Sequence, residues 1–168
     1  MEGLRLGLWM RYWAGFRLAP FVPTPFHVAH RMLDLASVKP SDFVMDLGCG
    51  DGRLLITAAK KYGAKGFGVE LDPHLFREAQ KAIRREGLCH MISVQLQDAL
   101  QVDLTRATVV TLYLSEKGND QLLPKLQCEL GNGARVVSFC WPFSKLDPSL
   151  VKRVDGINLY LYEMLNDK

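Results

Sequence analysis

Residues 44–53, VMDLGCGDGR, close an apolar run with three glycines at alternate positions, Gly48, Gly50 and Gly52. Asp46 stands ahead of them and Asp51 between the last two. Glycine at every second position clears side chains from a place where a ligand must touch main chain. Carboxylates at that place favour a ligand carrying positive charge. The run before the turn, Phe43 to Leu47, reads as a buried strand. The stretch after it, GRLLITAAKKYG, reads as a helix with lysines in its last turn and Gly63 as its stop.

The same alternation continues in both directions. GFGVEL is a second strand, and DPHLFREAQKAIRREG a helix with Pro73 near its start and Gly87 past its end. ISVQL is a third strand, and TVVTLYL a fourth, apolar enough to be central. EKGNDQLLPKLQCELGNG follows as a helix interrupted near Pro124, and ARVVSF is a fifth strand. Upstream, PTPFHVAHRMLDLASVKP predicts a helix over roughly 25–37, with Thr24 as N-cap, Pro25 at the first helical position and an end before Pro40. Strands that alternate with helices pair in parallel through right-handed crossovers. The tail departs from this rhythm: LVKRV, Asp155-Gly156 and INLYLYEML form a hairpin around a tight turn. The fold class is therefore α/β, a Rossmann-like doubly wound, mostly parallel sheet with an antiparallel C-terminal hairpin.

The chain has 168 residues, 48% of them hydrophobic and 23% charged, with a net charge of +3. Residues 1–20 hold Arg5, Arg11 and Arg17 against Glu2, so the remainder carries only +1. That balance argues against a nucleic-acid partner held by bulk electrostatics. The four cysteines, Cys49, Cys89, Cys128 and Cys140, lack metal-ligand spacing, so no metal is expected, and a reduced intracellular compartment fits them. Cys49 reads as a small side chain tucked under the glycine loop. Residues 1–20 form an N-terminal arm with the composition of a targeting or membrane-interface segment, too interrupted by charge to span a bilayer. Its arginines stand six apart, ~240° on a helix, which spreads them around the surface.

Ligands of open parallel sheets bind at the carboxyl ends of the strands. Two cofactors compete for that place. A dinucleotide would rest its pyrophosphate on Gly-x-Gly-x-x-Gly; here the pattern is Gly-x-Gly-x-Gly, and Asp46 and Asp51 would repel it. S-adenosylmethionine carries an ammonium and a sulfonium and no phosphate, and suits the carboxylates. Glu70, ending the second strand, can accept from both ribose hydroxyls. Asp98, after the third, can accept from an adenine amino group.

VMDLGCGDGR followed by GFGVELD resembles the class I S-adenosylmethionine-dependent methyltransferases over residues 41–165. FVPTPFHVAHRML, VVTLYL and PKLQCELGNGARVVSFCWPF narrow the resemblance to the small lysine methyltransferases of mitochondrial inner-membrane proteins, which act on the adenine nucleotide translocase and the ATP synthase c-subunit, and to their prokaryotic relatives. The resemblance implies one methyltransferase domain over 21–168, with S-adenosylmethionine held by Thr24, Asp46, Gly48, Cys49, Gly50, Glu70, Leu71, Asp98 and Ala99. It implies that the Pro23-Thr24-Pro25 lead-in folds over the cofactor. It also implies a protein substrate bearing a lysine, contact with a membrane surface through residues 1–20, and a mitochondrial location, with the cytoplasm as the alternative.

Methyl transfer to an amine needs alignment, exclusion of water and a neutral nucleophile. Tyr113, Trp141 and Phe143, at the ends of the fourth and fifth strands, are placed to form aromatic walls that desolvate the amine. Glu116 is placed to orient it. LYLSEKGN lacks the Asn/Asp-Pro-Pro-aromatic motif of enzymes that methylate planar nitrogens. A small-molecule methyltransferase and a non-catalytic cofactor-binding subunit are the alternatives. Calorimetric titration separates the cofactor assignments: S-adenosylmethionine binds and NAD does not, and the reverse result refutes the reading.

Overall fold

A computed structural model of the chain describes Leu18 and residues 21–165. The N-terminal arm, apart from Leu18, lies outside the described residues. Among the described residues four helices, α1 (Phe26–Leu35), α2 (Arg53–Tyr62), α3 (Pro73–Arg85) and α4 (Glu116–Glu129), surround seven strands. The strands are β1 (Phe43–Leu47), β2 (Lys65–Glu70), β3 (Ile92–Leu96), β4 (Val109–Leu112), β5 (Arg135–Phe139), β6 (Leu150–Val154) and β7 (Ile157–Glu163). They form one sheet in the order β3-β2-β1-β4-β5-β7-β6. The first five run parallel, and β7 pairs antiparallel with both β5 and β6. Strand order reverses between β1 and β4, so both loops at that switch point open on the same edge.

Side chains alternate between the two faces of each strand. Val44 packs with Met32, Leu33, Leu55 and Ala58 from α1 and α2. Its neighbours Met45 and Leu47 pack on the other face with Leu122, Leu126 and Leu130 of α4 and its exit. Each such leucine, fully buried, contributes about 1.5–3 kcal/mol. The edge away from the loops is braced by Asp42. It accepts from Lys39 N and Thr108 Oγ1 and pairs with Arg135, which also donates to the Ala36 carbonyl.

Two local expectations change. Thr24 does not cap α1: Pro25 occupies the N-cap position, no side chain caps the helix, and the first helical residue is Phe26. Pro25 brings a fixed φ suited to a helix entrance and has no N–H to satisfy. Pro124 does not interrupt α4, which runs through it to Glu129. The missing N–H removes one helical bond, and buried Leu122, Leu123 and Leu126 on either side keep the helix seated. The tail hairpin forms as expected. Asp155 and Gly156 both take positive φ, 51° and 81°, the geometry of a two-residue turn that matches strand twist.

Gly68 in β2 explains how the glycine loop sits so low on the sheet. A Cβ there would lie 2.8 Å from Cys49 Sγ and 2.7 Å from Leu55 Cδ1. Gly68→Ala is therefore expected to destabilise the protein by about 1–3 kcal/mol through overpacking. Urea unfolding measures this, and an unchanged midpoint would remove the packing argument.

Candidate active site

The loop between β1 and α2 turns on Gly48, Gly50 and Gly52, at φ of 88°, 56° and 80°. L-residues rarely adopt this left-handed region. Glu70 at the end of β2 holds the loop in place. Its Oε2 accepts from Gly50 N at 2.9 Å, and its Oε1 accepts from Leu71 N and Asp72 N, each at 2.8 Å. A carboxylate has about four acceptor sites, so three serve the main chain and one is left for a ligand. The sequence reading assigned Glu70 to ribose alone; the structure gives it loop-building work as well.

Asp46 is buried, and its Oδ1 accepts from Thr111 Oγ1 at 2.8 Å. Thr111 is its register partner on β4. Burial pushes the Asp46 carboxyl up from 3.8 to about 7; the Thr111 bond opposes this, and the charges of Glu70 and Asp51 add to it. Asp51 plays a different part from the one read in the sequence. Arg53 binds it through Nε and Nη2, the latter at 2.5 Å, so its charge is met within the protein. Asp98 Oδ1 accepts from Leu100 N at 2.9 Å and shapes the turn after β3.

All nine residues assigned to the cofactor line one cavity: Thr24, Asp46, Gly48, Cys49, Gly50, Glu70, Leu71, Asp98 and Ala99. Its roof is the segment leading into α1, where Leu18, Phe21, Val22 and Pro23 join Thr24 in the lining. Leu18 O accepts from Ser115 Oγ at 2.6 Å, and Thr24 O accepts from Arg53 Nη1 at 3.1 Å. Between these anchors the Phe21 ring lies against Gly50, where a Cβ would meet it at 2.4 Å. The cavity measures about 100 Å³, below the ~300–1,000 Å³ usual for small-molecule sites.

The four residues assigned to the acceptor side separate. Tyr113 lines the cavity, its ring 4.5 Å from that of Phe139. Burial, and then the Cys140 charge, push its phenol up. Phe143 is not a wall: it is a core residue, edge-on to Tyr162, and its N–H donates to the Tyr162 hydroxyl. Trp141 is 45% exposed and lies outside the cavity lining, and Glu116 is exposed in the first turn of α4, also outside it. The chain bends away after β5 at Cys140, whose φ is 74°, and this sends 141 and 143 elsewhere. Cys49 is buried, and burial, with the Asp46 and Glu70 charges, drives its thiol well above the ordinary range. It packs in the core beneath the loop, against Gly68.

Sequence reading missed Arg53, Thr111 and Phe21. A lone threonine in the apolar run VVTL was a usable signal for Thr111. Nothing local marked Arg53 as the anchor of a segment twenty-nine residues earlier.

A parallel sheet of this strand order, with an acidic glycine loop at its switch point, defines the class I S-adenosylmethionine-dependent methyltransferases. A family model described as the ANTKMT methyltransferase domain matches residues 46–150, and the chain belongs to that family. It is 43% identical to a protein-lysine N-methyltransferase from Saccharolobus islandicus, over 85% of this chain and 92% of that protein. It is 33% identical to the lysine N-methyltransferase of the ATP synthase c-subunit from Xenopus laevis, over 77% of this chain but 56% of that longer protein. Among solved structures it resembles an RNA methyltransferase from Salinibacter ruber in complex with S-adenosyl-L-homocysteine, with a TM-score of 0.85, 37% identity, and coverage of 88% and 96%.

Asp46 makes stability depend on pH. Its carboxyl titrates at 3.8 unfolded and about 7 folded, so the folded state holds the extra proton between those values. Stability falls as pH rises across that window, and the loss is complete above about 7. Asp46→Asn removes the charge, so it should stabilise the protein more at pH 8 than at pH 5 in urea unfolding. A gap independent of pH would contradict the buried charge.

Proposed function

We propose that the protein transfers a methyl group from S-adenosylmethionine to the ε-amine of a lysine in a protein substrate. The observation that carries this reading is the convergence of Asp46, Glu70 and Asp98 from three neighbouring strand ends onto one cavity. The relation to the archaeal lysine methyltransferase supplies the substrate class.

The residues fit the cofactor. Asp46 is a buried carboxylate that burial holds toward its neutral form, and a cationic neighbour restores its charge. Gly50 offers main chain with no side chain in the way. When bound, S-adenosylmethionine supplies a methyl group already activated on a sulfonium. Asp46 would hold the ammonium end, the free acceptor site on Glu70 a ribose hydroxyl, and the free oxygen of Asp98 the adenine amine. Leu71, Ala99, Gly48 and Cys49 would line the nucleoside, and Thr24 with the segment before it would shield it from water.

On the acceptor side the described lining offers Leu18, Phe21, Val22, Thr24, Leu112, Tyr113 and Leu114. None is a general base at neutral pH, since the Tyr113 phenol is held above its ordinary value. Tyr113 Oη accepts a hydrogen bond and aligns the amine, and the ammonium proton leaves to water before transfer. Apolar walls assist that loss, because they disfavour the charged amine.

Within this reading the substrate is a membrane-associated protein, and residues 1–20 touch the membrane surface. Likeness to the Xenopus enzyme of the ATP synthase c-subunit favours a mitochondrial location; the archaeal relative supports the cytoplasm as the alternative. No helix among the described residues is long and apolar enough to cross a membrane. An RNA substrate is the second reading, favoured by the description of the Salinibacter structure.

Incubation with radiolabelled S-adenosylmethionine and cell extract, followed by mass spectrometry, tests the assignment. Label is expected on a lysine of a protein, lost with Asp46→Ala and reduced at least tenfold with Glu70→Gln, while both variants remain folded by circular dichroism. Label confined to RNA or small molecules would overturn the lysine reading.

A further inference from the structure

A second concavity of about 440 Å³ runs between α2 and α3 and meets α1 at Phe26 and His30. Its floor is Ile56, Thr57 and Ala82. It lies next to the active site, and the Asp51–Arg53 pair forms a wall common to both. Five cationic side chains face three carboxylates there, a surplus of two in a chain whose whole net charge is +3. Three of the cations are paired: Arg53 with Asp51 at 2.5 Å, Lys60 with Glu86 at 2.7 Å and Lys81 with Glu78 at 3.0 Å. Lys61 has no ionic partner among the described residues, and Arg85 reaches only Glu86, at 3.7 Å, which Lys60 already holds.

We propose that this groove docks an acidic segment of the protein substrate beside the lysine that enters the active site. The inference rests on the protein-lysine reading above and adds what that reading leaves open, the sequence around the target. The α2 wall from Arg53 to Lys61 is about 12 Å long, the reach of about four extended residues. Lys61 and Arg85 offer the uncompensated charge to its carboxylates. A contiguous run of phosphates fits less well, because Asp51, Glu78 and Glu86 would repel it. The Phe26 ring, 61% exposed, has the Arg53 guanidinium 5.2 Å from its centre, which leaves a stacking base at most its other face. A concave wall also suits a chain better than a flat bilayer.

Two fluorescein-labelled peptides test this, one with a lysine preceded by four glutamates and the other with four glutamines in their place. Fluorescence anisotropy in low salt should show the glutamate peptide binding about five- to tenfold more tightly, with the gap closing at high salt. Lys61→Glu with Arg85→Glu should abolish the gap while S-adenosylmethionine affinity by calorimetry stays unchanged. Equal binding of the two peptides, or a preference that survives the double variant, would overturn the proposal. So would stronger binding of oligouridylate or phosphatidylserine vesicles that the same variant removes. Binding needs no turnover: a peptide that docks through Lys61 and Arg85 but is never methylated would count against the lysine reading and leave the groove standing.

Discussion

One carboxylate decides how the active site is built. Glu70 sits where β2 leaves the sheet, and its two oxygens gather three main-chain N–H groups, one from the glycine loop and two from its own exit turn. Charge-assisted bonds of this kind are about twice as strong as neutral ones. They fix the height of Gly50 above the sheet, and with it the floor of the cavity.

Electrostatics around that frame are arranged asymmetrically. Asp51 pairs its charge with Arg53, and Arg53 turns Nη1 to the Thr24 carbonyl above. Asp46, deeper and flanked by like charges, is left with a single hydroxyl as partner. The result is one compensated carboxylate that builds structure and one frustrated carboxylate that a cation relieves.

Much of this was legible beforehand, and the reasons differ by residue. β1 and β3 could be bounded to the residue because apolar runs ended in turns, and Asp155-Gly156 announced the hairpin through local backbone chemistry alone. The nine cofactor positions fell on one cavity because strand ends in a parallel sheet point to a common edge, so an acidic residue at the end of a run already has a location. The acceptor side was harder. Phe143 and Trp141 follow a strand end as Tyr113 does, but the left-handed turn at Cys140 redirects the chain, and no residue type there signals it. Thr24 looked like a cap because its hydroxyl could serve one; what it offers is a carbonyl to Arg53, an interaction of the main chain that composition does not record. The Asp42–Arg135 brace likewise joins residues ninety-three apart, and long separations leave no local pattern.

The order of the strands carries a consequence for how the molecule is made. β7, the last of the seven strands in chain order, lies inside the sheet between β5 and β6, and brings Leu159, Leu161 and Tyr162 into the core. Until residue 163 has emerged from the ribosome, β5 has an open flank and β6 has nothing to pair with. Every residue that lines the cavity has by then been translated, yet the sheet behind it stays unsealed. Nascent chains thus pass through a stage with an apolar strand edge exposed, the stage at which a chaperone would be expected to meet them.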